Sequence, residues 1–227
     1  MTEEGFEMMF EMMPPIYIAI EGAIGVGKTT LATLLQPEYK AQLMLEVFEE
    51  NPFLPLFYAD PERYAFQVQI DFLLSRYHQQ RTICEQVGEL PLISDYLFAK
   101  DRLFARMNLQ GHEWTTYDRL HNVLAEQIVL PDLVIYLRAD VDTLMERIAH
   151  RGRPYERSMS RDYIARLADE YDNFFGSYRA TSLLTINTNH LNIVSRANDM
   201  TFMLQLIGQR LASRKPKMVI NMMGTDQ

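Results

Sequence analysis

Apolar residues along this chain keep two rhythms. Unbroken runs rich in Val, Ile and Leu fall at residues 16–21, 43–47, 91–95, 132–137 and 183–187, and each reads as a short buried strand. Between them the apolar positions recur every three or four residues, as on one face of a helix. From 63 to about 87 there is no proline or glycine, and Phe66, Ile70, Leu73 and Tyr77 hold helical spacing, which predicts one long helix. Helices are also expected over about 97–107, 116–130, 141–151, 161–178 and 192–213. Asp140 or Asp142 can cap the helix at 141, and Gly152 and Pro154 end it. The stretch NPFLPLFYADPE carries three prolines and is expected to be irregular.

Strands alternating with helices predict an α/β fold: a five-stranded parallel sheet covered on both faces, with right-handed crossovers and ligands at the carboxyl ends of the strands. A chain of 227 residues fits one domain, here 14–213, with a small lid near 151–160. The first 13 residues carry acids where a signal peptide needs basic residues, and read as a frayed extension. Residues 214–227 have no clear period and read as a loosely held tail.

Composition narrows the functions. Hydrophobic residues make up 48% and charged residues 23%, as in an ordinary globular protein. The formal charge of −8 repels polyanions, so no nucleic-acid partner is expected. No apolar run approaches the roughly 20 residues that cross a bilayer, so no membrane role is expected. Cys84 is the sole cysteine, which excludes an intramolecular disulfide and a cysteine-ligated structural zinc, and fits a reducing, cytoplasmic setting.

The sharpest chemical signal is GAIGVGKT, set between a strand and a helix. The run from Gly22 through Ala23, Ile24, Gly25, Val26 and Gly27 to Lys28, Thr29 and Thr30 matches a phosphate-binding P-loop. Its glycines let backbone N–H groups face phosphate oxygens, and the following helix adds its positive end. Lys28 would reach the β and γ phosphates of ATP, and Thr29 would place a hydroxyl on Mg²⁺.

Other candidates gather at the same edge. Glu46, at the end of the second strand, is a candidate general base, with Glu49 and Glu50 as competitors. Gln69 and Arg76 lie two helical turns apart with Phe72 between them; the stripe either reads the edge of a planar base or is a solvent face. Asp95, at the end of the third strand, either holds magnesium or caps the next helix. Asp101 can pair with Arg76 and hold its fork. Arg147, Arg151 and Arg153 run into a glycine and proline loop; they either stabilise charge on a transferred phosphoryl group from a closing lid or form a solvated helix face.

Taken together, AIEGAIGVGKTT, LEVFEENPFLPLFY, PERYAFQVQIDFLLSR, SDYLFAKDR and RIAHRGRPYE resemble the deoxynucleoside kinase family, closest to its bacterial members, over about residues 16–186. The resemblance implies a P-loop kinase fold and an ATP- and Mg²⁺-dependent transfer to a deoxynucleoside 5′-hydroxyl for nucleotide salvage, with Glu46 as base. It also implies Gln69 and the Arg76–Asp101 pair as base readers, Tyr58 and Glu156 on the 3′-hydroxyl, Asp95 near magnesium and Arg147, Arg151 and Arg153 as lid arginines. An Asp at position 101 implies deoxycytidine or a purine deoxynucleoside in preference to thymidine. A homodimer is implied, through helices at 63–87 and 116–130, with Phe66, Ile70, Val123 and Leu124 as spare apolar positions. Two positions depart from the family pattern: Tyr96 stands where an arginine commonly follows the acid, and Ala105 stands where a stacking aromatic is expected, with Phe104 one step early.

Two rivals share the P-loop. A nucleoside monophosphate kinase of the thymidylate kinase kind needs a cationic clamp after the second strand, where LEVFEENP offers acids. A noncatalytic nucleotide switch has no need of Gln69, Arg76 and Asp101.

Overall fold

The computed structural model describes residues 15–47, 50–86, 88, 90–153, 156 and 159–213. The expected N-terminal extension (1–13) and C-terminal tail (214–227) lie outside the described residues. Five parallel strands, β1 (Tyr17–Gly22), β2 (Gln42–Met44), β3 (Leu92–Ser94), β4 (Leu133–Arg138) and β5 (Ser182–Asn187), lie in the order β2-β3-β1-β4-β5. Eight helices are seen among the described residues: α1 (Lys28–Glu38), α2 (Leu54–Ala59), α3 (Pro61–Gln86), α4 (Lys100–Asn108), α5 (Gly111–Ala125), α6 (Val141–Arg151), α7 (Arg161–Ser177) and α8 (Ala197–Ala212).

Central β1 is buried along its whole length, as a strand covered on both faces must be. It pairs with β3 from Tyr17↔Leu92 to Ala19↔Ser94 and with β4 from Ile18↔Leu133 to Gly22↔Leu137. The chain therefore leaves β1 where its neighbours come from opposite sides of the order, the place where open parallel sheets bind ligands. One apolar cluster surrounds the sheet; a second, with Leu54, Phe57, Val68, Leu73 and Tyr117, joins α2, α3, α4 and α5. Burying a side chain such as Leu73 or Ile18 is worth about 1.5–3 kcal/mol, so the second cluster fixes the helices that carry the cavity wall. No helix among the described residues is long and apolar enough to cross a membrane.

Several boundaries differ from the sequence pattern, each for a local reason. Residues 54–59, expected to be irregular, are helical: Pro55 occupies the first turn, where no N–H is needed, and Pro61 opens α3. Strand β2 ends at Met44, because its partner β3 ends at Ser94 and offers no further ladder. Helix α4 starts at Lys100 instead of 97, since the Leu97 N–H donates to the buried Glu21 carboxylate at 2.8 Å. Helix α5 spans Gly111–Ala125 and stops short of 130; Pro131 disfavours helical backbone at the residue before it. Helix α8 starts at Ala197, because Asn192 closes a turn by accepting from the Ser195 N–H. Asp140 takes the N-cap position of α6, but its side chain makes no capping bond, whereas Ser160 caps α7 by accepting from the Tyr163 N–H.

Candidate active site

The P-loop follows β1 directly. Gly22 has φ 149°, and a Cβ there would lie 2.4 Å from the Leu137 carbonyl oxygen; Gly25 has φ 85°, and its Cβ would lie 2.9 Å from the Leu144 carbonyl. Both contacts are with fixed backbone, so only glycine lets the loop nest against β4 and α6. Lys28 folds back and donates to the Gly22 and Ala23 carbonyls at 2.8 and 3.2 Å. Its pKa is held below the ordinary lysine value, first by burial and then by repulsion from Lys100, while Glu21, Glu46 and Asp95 oppose the shift.

Thr29 is the next residue of the same turn, and its hydroxyl donates to Asp95 Oδ2 at 2.5 Å. Asp95 Oδ1 accepts the Glu46 N–H at 2.7 Å. The Asp95 carboxylate thus ties the P-loop to the segment after β2. Of its two sequence readings, capping of the next helix finds no bond here. An hydroxyl and a carboxylate touching beside a phosphate loop fit Mg²⁺, which takes one or two protein oxygens and completes its shell with water and phosphate.

Glu46 stands two residues beyond β2, in extended chain. Its Oε2 accepts from Lys100 Nζ at 2.7 Å and its Oε1 pairs with an Arg76 terminal nitrogen. Burial alone would raise the Glu46 pKa, but Lys100 and Arg76 together outweigh it and hold the carboxyl far below the ordinary carboxylate range. Of its two competitors, Glu50 is exposed and Glu49 lies outside the described residues.

Arg76 projects from α3 with its guanidinium 4.7 Å from the Phe72 ring centroid, and its second terminal nitrogen pairs with Asp101 of α4. Its Nε is buried with no hydrogen-bond partner among the described residues, a donor left over once the two carboxylates are served. Gln69, one of the stripe's two polar ends, is 4% exposed, so the stripe is no solvent face. These side chains close a cavity of about 130 Å³ whose lining includes Lys28, Glu46, Tyr58, Gln69, Phe72, Arg76, Asp95, Lys100, Phe104 and Glu156. Asp101 is not in that lining; it sits behind Arg76 and acts on the cavity through it.

The lid region is described in part. Arg151 donates to Glu156 through Nε at 3.1 Å and a terminal nitrogen at 2.5 Å, and Arg153 lies 3.7 Å from the same carboxylate. Arg147, grouped with these two by sequence, is placed differently. It donates to the Val26 carbonyl and to Thr188, joining the P-loop to the loop after β5. Together with Arg151 and Arg153 it lines an open groove of about 920 Å³ along Gly25–Thr30 and residues 188–195, which meets the cavity at Lys28 and Thr29. Arg147 lies four residues before Arg151 on nearly the same face of α6, but its guanidinium is held by Val26 and Thr188, whereas Arg151 and Arg153 reach Glu156.

Sequence reasoning missed two residues. Lys100 had a visible signal, a cation inside SDYLFAKDR, one position before Asp101. It brings a positive charge to Glu46 while Tyr96, where an arginine was expected, is fully buried. Glu21 had no signal beyond an acid ending an apolar strand. It is fully buried and accepts from the Gly22 N–H, the Leu97 N–H and the Tyr171 hydroxyl. At the other departure, Ala105 is packed in the second core cluster, and the neighbouring Phe104 lines the cavity.

A P-loop at the head of a parallel sheet, facing a carboxylate across a small cavity, defines a P-loop phosphotransferase. The family model for deoxynucleoside kinases matches residues 18–210, and the chain belongs to that family. Deoxyguanosine kinase of Bacillus subtilis is 36% identical over 159 residues, 69% of this chain and 76% of that one. Deoxyguanosine kinase of Lactobacillus acidophilus is 32% identical over 208 residues, 86% of this chain and 90% of that one. Among solved structures, deoxyadenosine kinase from M. mycoides with bound dCTP has the same fold, with a TM-score of 0.74 at 24% identity, over 86% of this chain and 100% of that one. Members of the family are ATP-dependent kinases of deoxynucleosides, and so is this chain.

Proposed function

We propose that this kinase phosphorylates purine deoxynucleosides or deoxycytidine in preference to thymidine, in nucleotide salvage, with Glu46 as the base. The observation that carries this reading is the Glu46 carboxylate in the wall of a cavity that also holds Lys28 on one side and Gln69 and Arg76 on the other. The sugar lies between them, its 5′-hydroxyl on Glu46 and its 3′-hydroxyl on Tyr58 and Glu156. The base lies against Gln69, which offers a donor and an acceptor, and Arg76, which Asp101 holds from behind. Relatives named deoxyguanosine kinase, and a Bacillus subtilis relative named deoxyadenosine/deoxycytidine kinase, support the same substrate range.

In the reaction, a lone pair of the 5′-oxygen forms the bond to the γ-phosphorus as the bond to the β,γ-bridging oxygen breaks. That electron pair leaves with ADP, and the hydroxyl proton passes to Glu46. Lys28 and the backbone N–H groups of the P-loop hold the phosphates, and Arg151 and Arg153 turn from Glu156 to the transferring group. Magnesium bound at Thr29 and Asp95 would neutralise charge on the β and γ oxygens. Of the apolar positions expected to be spare, Phe66, Ile70 and Leu124 pack against the second cluster and Val123 is exposed. Val123 on α5 and Leu74 on α3 are the exposed apolar side chains that support a homodimer through these two helices.

Coupled ADP release, measured with each of the four deoxynucleosides and their 5′-monophosphates, tests the reading. Turnover is expected with deoxyguanosine, deoxyadenosine or deoxycytidine, less with thymidine and none with monophosphates. Turnover with a monophosphate alone would favour a monophosphate kinase, and preference for thymidine would overturn the base assignment.

A further inference from the structure

Glu46 poses a problem for the reaction just described, and the solution adds a catalytic residue. Both of its oxygens are taken: Oε1 by Arg76 and Oε2 by Lys100. Each oxygen keeps a lone pair for a substrate hydroxyl, but two cations in direct contact oppose proton transfer to Glu46, and withdrawal of one of them favours it. Both cations are buried and both lie near a ring, but Arg76 is the worse placed to yield, since its other terminal nitrogen is fixed on Asp101. Lys100 makes a single-point contact through a flexible four-carbon stem, from the first turn of α4, and lines the cavity.

The displaced ammonium has one productive destination. Lys28 enters the same cavity from the P-loop, so two ammonium groups line one space and repel each other. A phosphoryl group in flight between donor and acceptor lies between them and relieves that repulsion.

Resting on the kinase reading above, we propose that Lys100 is the acceptor-side catalytic cation: it yields Glu46 Oε2 to the substrate 5′-hydroxyl and turns its ammonium onto the transferring phosphoryl group. Bond making and breaking are unchanged; Lys100 moves no proton and keeps its charge throughout. The contact between Lys100 and Glu46 balances the carboxylate, and the proposed turn would carry the same charge to the transferring group.

The test compares the wild type with Lys100→Met, Lys100→Gln and Lys100→Arg in steady-state kinetics with ATP and the best deoxynucleoside. Melting temperature and binding of a fluorescent ATP analogue are measured alongside. Lys100→Met and Lys100→Gln are expected to lose about 10²-fold or more in kcat, with analogue affinity within about threefold of wild type. Lys100→Arg, which keeps the charge, is expected to recover to within about tenfold of wild type. Either neutral variant turning over within about threefold of wild type would overturn the inference. So would a folded Lys100→Arg no more active than Lys100→Gln, or a failure of all three variants to fold, which would assign Lys100 to structure alone. A wild type that phosphorylates no deoxynucleoside would instead retire the underlying reading of function, so the two failures are distinguishable.

Discussion

The P-loop and the wall facing it across the cavity hold their charges in different ways. On the donor side one contiguous segment, residues 22–30, does the work, and Lys28 rests on nothing but backbone carbonyls of its own loop. On the acceptor side, Glu46, Arg76, Lys100 and Asp101 arrive from three separate segments, and each charge is held by another charge. The donor side depends on backbone geometry that its glycines make possible. The acceptor side is a coupled network, in which removing one member leaves a buried charge uncompensated. Loss of a donor-side charge should therefore cost rate without stability, and loss of an acceptor-side charge should cost both.

The largest effect is expected on the donor side. Lys28→Met should lower kcat by about 10³-fold, because the β and γ phosphates lose their one P-loop ammonium. Its melting temperature should stay within about 2 °C of wild type, since no buried carboxylate depends on Lys28 for a direct bond. Kinetics together with thermal unfolding check both halves, and a melting point lowered well beyond that range would erase the contrast between the two walls.

Glu46→Gln should lower kcat by about 10²–10³-fold while binding of an ATP analogue stays within about threefold. Near wild-type turnover at saturating substrates would remove Glu46 from the role of base. Unlike Lys28→Met, this variant should also be less stable at pH 7, with Arg76 and Lys100 facing a neutral amide. Lys100 and Arg76 depress the Glu46 pKa in the folded chain below its unfolded value near 4.3, so its contribution to stability is complete above about pH 5 and fades as pH falls through the lower folded value. Urea unfolding at pH 7 and pH 4 should show the gap between wild type and Glu46→Gln shrinking on acidification. A gap that widens would mean that the carboxylate is not held by these cations.

How much of this was legible in the sequence follows the same divide. The P-loop, β1 and the long helix α3 could be read because their information is local: adjacent glycines, an unbroken apolar run, a 3.6-residue period. Gln69, Phe72 and Arg76 could be placed on one stripe for the same reason. Nothing local says that Lys100 reaches Glu46, since the two are joined only by the register of β2 on β3 and the late start of α4. The hold of Thr188 on Arg147 was hidden for a related reason, because Thr188 lies beyond β5. Proline was over-read at 54–59, where position within the first helical turn mattered more than proline count.

Glu21 sharpens the comparison from the structural side. It joins the first residue of the P-loop to Leu97 and to Tyr171 of α7, so it couples the donor loop to the segment that delivers Lys100 and Asp101. Glu21→Ala would leave two buried N–H groups and a tyrosine hydroxyl without their acceptor. At about 1–3 kcal/mol for each unsatisfied group, partly relieved by water, about 3 kcal/mol of stability should be lost, measurable by urea unfolding at pH 7. A loss under about 0.5 kcal/mol, within the range of an ordinary surface change, would mean that the two walls are assembled independently.

The smallest effect is expected behind the base. Asp101 is 1% exposed and absent from the cavity lining, so it influences substrate choice only by fixing Arg76. Asp101→Asn keeps the size of the side chain and an acceptor oxygen for Arg76, yet removes the charge that locks the fork. Arg76 then samples more than one orientation against the base, and discrimination falls because a looser donor penalises a mismatched edge less. The ratio of kcat/KM for the best purine deoxynucleoside or deoxycytidine over thymidine should fall by about tenfold, which is about 1.4 kcal/mol of differential binding. Turnover of the preferred substrate should fall less than the ratio does, since Glu46, Lys28 and Lys100 are untouched. An unchanged ratio would place base selection on Gln69 and cavity shape alone, leaving the Arg76–Asp101 pair the task of holding Glu46 in position.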